Sequence, residues 1–330
     1  MESVIGVRLL DCIATYRALG RMVALANCAR AKPKGINRMI TESSIVVPTI
    51  ESVDVLSTGS GEQHKEHRYG SRKPKTLWAL TSRSWIDIPI NVFVIQHRDG
   101  LVLFDTGLNP SIATDPNYVD SAIGRFFMRR VFRLHIEPED RLTNKLGQLG
   151  YAASEIRKVV FSHLHFDHIG GIAEVPQAEL VVSRKEWEQL QGPHPERDYI
   201  FREHIELPNA KWNAIDFEPV AEQLLSSFEG CYDLMGDGSL ILLPTPGHTV
   251  GSLSMLIRTG HSSPILLVGD LTYETELLMK DRLPGIYADK KQLKTSFALV
   301  RELKRKIPYL LIISSHDPRA ASTLRSAFSQ

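Results

Sequence analysis

The sequence predicts an α/β (α+β) fold in which mixed β-sheets carry helices on their outer faces. Three observations lead there. Short β-branched apolar runs recur along the chain, bounded by Gly, Pro, Asn and Asp, as strands are. Several pass directly into helical periodicity, as Glu179-Leu-Val-Val-Ser does into Arg184-Lys-Glu-Trp-Glu-Gln-Leu. Others are separated by a tight turn such as Arg98-Asp99-Gly100, a hairpin signal. Strands linked both by helices and by hairpins imply sheets with helical cover. With 330 residues and 43% hydrophobic side chains the chain has ample material for a buried core.

Taken in order, residues 4–31 are partly apolar and basic, and read as a helix that packs on the main domain or on a second subunit. They do not read as a secretory leader: Met1-Glu2-Ser3 carries no positive charge, and Arg8, Asp11, Arg17 and Arg21 interrupt the apolar stretch. Residues 32–75 are mostly polar, and their second half (57–75) reads as a long loop by composition. Within them 45–57 is β-branched enough for a strand, and Pro48 would make it an edge strand. The division is therefore an N-terminal helix and linker extension over 1–75 and one main domain over 76–330. In the latter, 91–97 and 100–107 form a predicted hairpin, 122–136 alternates apolar residues with arginines, and 139–150 is a predicted helix ending on Gly150. Residues 157–165 read as a buried strand running into a polar cluster. Residues 238–248 read as strand then turn, 252–257 and 264–270 as strands, 292–307 as an amphipathic helix, and 309–317 as a last strand.

Composition excludes several classes. The 39 Lys+Arg against 38 Asp+Glu leave a formal charge of +1, with no basic footprint for nucleic acid. No run of about 18 apolar residues marks an integral membrane span. Cys12, Cys28 and Cys231 form neither a CxxC pair nor an even disulfide set, which fits a reducing cytoplasm.

The chemistry concentrates at predicted strand ends, where a rigid frame holds side chains in place. The densest cluster is Ser162-His163-Leu164-His165-Phe166-Asp167-His168-Ile169-Gly170-Gly171. In an extended segment His163 and His165 point the same way, and Asp167 and His168 follow as the chain turns toward a second point. A lone histidine here would be an ordinary core or surface residue. Four metal-competent groups within six residues, closing the apolar run Val159-Val160-Phe161, point instead to a metal site. Imidazole and carboxylate suit zinc, and also iron, manganese or cobalt. Asp270, His316 and, after a short turn, His248 end other apolar runs in the same way.

HLHFDH resembles the HxHxDH signature of the metallo-β-lactamase superfamily. Thr245-Pro-Gly-His248-Thr, Val268-Gly-Asp270 and Ser315-His316-Asp317 follow in that family's order, and Leu103-Phe-Asp105-Thr-Gly107 resembles its Asp-Thr-Gly turn. The resemblance covers roughly residues 85–320. It implies an αβ/βα sandwich of two mixed sheets with two divalent metal ions, zinc first among them, at the edge between the sheets. By the same resemblance His163, His165 and His248 hold one metal, Asp167, His168 and His316 the other, and Asp270 bridges. Asp105 has no metal role and is left to orient a ligand or anchor its turn. The other histidines (His64, His67, His97, His135, His194, His204, His261) receive surface or structural roles.

Three features narrow the branch. Position 270 is Asp rather than Cys. Asp270-Leu-Thr-Tyr273 resembles the Asp-x-x-Tyr of the N-acyl-homoserine lactonases, in which the tyrosine reaches the substrate carbonyl. The runs around Ile90-Asn-Val92 and Glu139-Asp-Arg141 are similar to that quorum-quenching family in wording and spacing. The resemblance implies hydrolysis of a lactone by a metal-bridging hydroxide, with Tyr273 stabilising the oxyanion and Asp167 carrying a proton to the leaving alkoxide. The partner is then a small lactone, with a homodimer as the expected assembly. Residues 122–136 read equally as an amphipathic helix with a solvated basic face or as a lid, acyl-chain wall or dimer contact. The competing enzyme reading is another ester or thioester hydrolase of this fold, glyoxalase-II-like, with no need for Tyr273. A two-iron redox protein with a flavin domain is disfavoured by the short stretch after His316.

Overall fold

A computed structural model describes residues 4–5, 49–119, 122–260 and 262–328. The strands, in chain order, are β1 (Val4–Ile5), β2 (Ile50–His64), β3 (Trp85–His97), β4 (Gly100–Phe104), β5 (Phe132–His135), β6 (Ile156–Val160), β7 (Glu179–Ser183) and β8 (Lys211–Ile215), then β9 (Tyr232–Asp233), β10 (Leu240–Pro244), β11 (Leu253–Ile257), β12 (Ile265–Leu267) and β13 (Leu311–Ile313). The first eight form one sheet in the order β1-β2-β3-β4-β6-β7-β8, with β5 also on β2. The last five form a second, β13-β12-β11-β10-β9. Both are mixed: β2–β3–β4 are antiparallel and β4–β6–β7–β8 parallel, while in the second sheet β12–β13 is the parallel pair.

Alternation of side chains explains the layering. In β4, Val102 and Phe104 face the second sheet, where they meet Leu242, Met255 and Leu267, while Leu101 and Leu103 face the opposite way. β7 splits likewise, with Val181 inward and Leu180 and Val182 outward onto Leu190. Burial on both faces is why these strands read as unbroken apolar runs. The outer face of the second sheet is closed by the helix Lys290–Lys306, which buries Leu293, Phe297, Val300 and Leu303 at helical spacing. Its first turn is capped by Asp289, whose side chain accepts from the amides of Lys291 and Gln292. Two mixed sheets packed face to face under helices match the predicted fold class.

Several local expectations change. Residues 57–64 are strand, not loop, and Lys65–Tyr69 are helical. Part of the strand is polar in sequence because its side chains are paired rather than solvated: Ser57 Oγ donates to the Ile90 carbonyl, and Thr58 Oγ1 accepts from the Leu108 amide at 2.9 Å. β2 is also no edge strand. It pairs with β3 along one side and with β1 and β5 along the other. Pro48 lies outside the described residues, and β2 itself contains no proline. β2 thus joins the large sheet from within the stretch assigned by sequence to the extension. The amphipathic run 122–136 divides into a helix, Ala122–Val131, and β5, because residues 132–135 find a free strand side on β2. Of the N-terminal helix expected over 4–31, Val4 and Ile5 instead pair with Leu56 and Val55, and the rest lies outside the described residues.

Candidate active site

Four chain segments reach one edge between the sheets. β6 ends at Val160, and Ser162 to His165 continue into a one-turn helix, Phe166–Ile169, that carries Asp167 and His168. Gly170 follows because the chain passes hard against the β4 turn: a Cβ there would sit 2.2 Å from the Asn109 amide nitrogen. The β10–β11 turn brings His248, the end of β12 brings Asp270, and the end of β13 brings His316. The structure therefore brings all seven sequence-predicted metal-site residues together. The ligand-competent atoms fall into three groups, each within 4.8 Å: His163, His165 and His248; His163, His168 and Asp270; Asp167, His168 and His316.

The donor set fits cations on its own geometry. His165 Nδ1 lies 3.0 Å from His163 Nε2 and 3.1 Å from His248 Nε2. Three ring nitrogens so close cannot all be satisfied by shared protons, since each neutral imidazole brings one hydrogen and one lone pair. Burial, reinforced by neighbouring imidazoles, holds His163 and His165 well below the usual histidine range, in the neutral form that binds a metal. Burial likewise lowers His248 against the pull of Asp270. At the second group His168 Nε2 and Asp270 Oδ1 are buried without a hydrogen-bond partner among the described residues, although only 3.5 Å apart. His316 Nε2 is 3.2 Å from the same Asp270 oxygen and 3.4 Å from Asp167 Oδ2. Burial opposes the Asp270 charge, but His316 and His168 outweigh it and hold the carboxyl well below its ordinary range.

Three of the five imidazoles are aimed from behind, a common arrangement in metal centres. His168 Nδ1 meets Asp105 Oδ2 at 2.8 Å, His316 Nδ1 the Pro89 carbonyl at 2.9 Å, and His248 Nδ1 the Ile286 carbonyl at 3.4 Å. Asp105 also accepts from the amide and hydroxyl of Ser162 and from Ser315, in a left-handed backbone conformation (φ 64°) that aspartate tolerates. It anchors three strand ends, which is the ligand-orienting role left open for it by sequence.

Tyr273 is buried with its ring stacked on His316, centroids 5.6 Å apart. Burial, with Asp270 and Asp167 adding to it, raises its phenol well above the usual range, so it keeps its proton. A cavity of about 20 Å³ opens beside it, lined by His165, Asp167, His248, Asp270, Tyr273 and His316 and walled by Gln63, His67, Phe132 and Tyr199 among others.

Residues 85–316 match the family model of the Metallo-beta-lactamase superfamily. The chain belongs to the metallo-beta-lactamase superfamily. Among curated proteins it is 30% identical over 243 residues to the N-acyl homoserine lactonase AttM of Rhizobium johnstonii, covering 73% of this chain and 86% of that one. Its likeness to a probable metallo-hydrolase of Mycobacterium tuberculosis is 31% over 244 residues, 69% of this chain and 74% of that one. Within the superfamily the chain belongs to the lactonase family of the first relative, and it is a metal-dependent hydrolase. A crystal structure of B. thuringiensis AiiA with N-decanoyl-L-homoserine bound at its active site shares the fold, with a TM-score of 0.67. Identity is 24%, covering 83% of this chain and 96% of that one. No described helix is long and apolar enough to cross a membrane.

Sequence reasoning missed the metallo-beta-lactamase site's walls. Gln63 and His67 sit in the run read as loop, and nothing in a polar stretch marks which residue turns inward. Of the histidines given surface or structural roles, His64, His67 and His97 are buried, as the structural alternative has it, and His261 lies outside the described residues. Glu186 was missed too. Its carboxylate accepts from the amides of Leu164 and Gly251 and from Thr249 Oγ1, tying the His163–His165 segment to the His248 turn.

Proposed function

We propose that this chain opens the lactone ring of N-acyl-homoserine lactones, a quorum-quenching hydrolysis. Its cofactors are two divalent metal ions, zinc first among the candidates: one on His163, His165 and His248, the other on Asp167, His168 and His316, with Asp270 between them. The observation that carries this reading is the position of Tyr273, protonated and stacked on His316 at the edge of the seven-residue donor cluster. The likeness to lactonases, including one structure holding a ring-opened N-acyl-homoserine, supports the substrate class. Bound metal ions supply Lewis acidity and bring the pKa of a water toward about 7, so that hydroxide is available at neutral pH.

The chain's own residues do the rest. Addition of hydroxide to the lactone carbonyl carbon places negative charge on the carbonyl oxygen, and the Tyr273 phenol donates a hydrogen bond to it. As the ring C–O bond breaks, the departing alkoxide needs a proton, and Asp167, slightly exposed at the cavity, is placed to carry one. The product is the N-acyl-homoserine carboxylate, with one proton released overall. Exposed Leu77, Leu80 and Phe126, on the contacting helices Lys75–Thr81 and Ala122–Val131, support a homodimer contact there. The cysteine pattern supports a cytoplasmic setting.

The test is hydrolysis of short- and long-chain N-acyl-homoserine lactones by protein of measured metal content, followed with a pH indicator. Turnover with about two metals per chain is the expected result. No turnover by fully metallated protein that cleaves a thioester would replace this reading with the thioester hydrolase one.

A further inference from the structure

Gln63 is a polar group of the cavity wall to which the proposed reaction gives no task. It is the penultimate residue of β2, held in register between Ile86 of β3 and Phe132 of β5, and its side chain is fully buried. Neither Nε2 nor Oε1 has a hydrogen-bond partner of ordinary geometry among the described residues, although the side chain lies near enough to the Tyr273 phenol to favour its ionised form. The carboxamide stands beside the Tyr273 phenol and lines the same cavity as Asp167, Asp270 and His316. A buried carboxamide without a well-placed partner forfeits its hydration, and a ligand entering the adjoining cavity can supply the missing bond. The other orphaned wall nitrogen, His67 Nε2, offers a single atom, and its ring packs edge-on to Trp78 and Phe132.

We infer that Gln63 is the residue that recognises the amide of the substrate, and so selects lactones bearing an N-acyl substituent next to the reacting carbonyl. The inference rests on the lactonase reading and deepens it. With Tyr273 on the carbonyl oxygen, the α-amide N–H lies one carbon from the reacting centre, and Gln63, on the wall of the same cavity, offers Oε1 to accept from it. A lactone without that amide leaves the carboxamide unpaired on binding, and a site built around a hydrogen bond discriminates strongly against the ligand that lacks it.

The experiment compares kcat/KM for an N-acyl-homoserine lactone and for an alkyl γ-lactone of matched length, in the parent and in Gln63→Leu, with metal content and melting temperature measured on both proteins. The expected result is a fall of about tenfold to a hundredfold in the amide-to-alkyl ratio, carried mainly by KM for the amide substrate. The melting temperature of Gln63→Leu should be no lower than the parent's, since an unpaired buried amide has been replaced by an apolar side chain. A ratio within about twofold of the parent's, or a lower melting temperature with equal losses on both substrates, overturns the inference and leaves the lactonase reading intact. If the metallated parent opens neither lactone, the lactonase reading fails and the inference with it. Should Gln63→Leu not fold, Gln63→Met reads the same ratio with a flexible side chain of similar length.

Discussion

Tyr273 and His67 share one small cavity and one cause of unusual behaviour, burial, with opposite consequences. Burial keeps the Tyr273 phenol protonated and ready to donate. Tyr273→Phe should therefore lower kcat/KM by about tenfold to a hundredfold while metal content stays at the parent value. Full activity in that variant would remove the phenol from the reaction. Burial disfavours the charged form of His67 and brings it down to about 3, with His64 and Lys75 adding to the effect. The unfolded chain takes up this proton below about pH 6.5, whereas the folded one does not until about pH 3. The unfolded state thus binds more protons throughout that window, and stability declines as pH falls across it. Between pH 7 and pH 5 the single site contributes a loss of about 2 kcal/mol. Urea denaturation at both pH values should show that much less pH dependence in His67→Phe; an unchanged slope would mean that His67 titrates normally.

Among the elements, the short helix Arg184–Leu190 does more than cover the sheet. Its N-cap Ser183 donates to the Gly251 carbonyl at 2.6 Å, and Glu186 gathers Leu164, Thr249 and Gly251. Glu186→Ala strands three buried donors, at an expected cost of about 3 kcal/mol in urea denaturation. It should also weaken metal retention against a chelator, because the His163–His165 segment and the His248 turn are no longer tied. Loss of stability with undiminished metal affinity would limit Glu186 to a packing role. Legibility in the sequence varied by element for a physical reason. The helix Lys290–Lys306 and the parallel strands declare themselves through apolar periodicity, since burial by neighbouring elements selects every inward residue. β2 does not: Ser57 and Thr58 pair with partners far along the chain, and Gln63 turns into the cavity wall. A strand stabilised by such pairings has the composition of a loop.

For the whole molecule, the donor cluster joins the two sheets. His163, His165, Asp167 and His168 follow β6 of the large sheet, while His248, Asp270 and His316 come from the second. Metal bound between them cross-links the halves of the sandwich, and at a hundredfold excess over Kd it adds about 2.7 kcal/mol. Chelation should thus lower the melting temperature by about 5 °C, and zinc should restore it; an unchanged melting temperature would mean that the folded chain holds no metal at this cluster. The enclosed space beside the cluster, about 20 Å³, is far below the several hundred Å³ of ordinary ligand pockets. The lactone proposed for this site would therefore displace part of the wall, and Phe132 is the side chain that also borders the adjoining groove lined by Tyr118, Arg125 and Met128.

By itself the sequence determined the fold class and marked the seven side chains that the structure brings together at one edge. Apolar alternation and the clustering of His and Asp at strand ends are local signals, and local signals survive in a linear string. Asp105 was legible only as a buried carboxylate with some orienting task; its contacts with His168, Ser162 and Ser315 span residues 105 to 315. The tertiary structure alone decided which polar residues turn inward, and so placed Gln63 and His67 in the cavity wall and Glu186 between two metal-site segments. Those assignments depend on strand register and on the approach of distant segments, and neither is written in any residue's immediate neighbours.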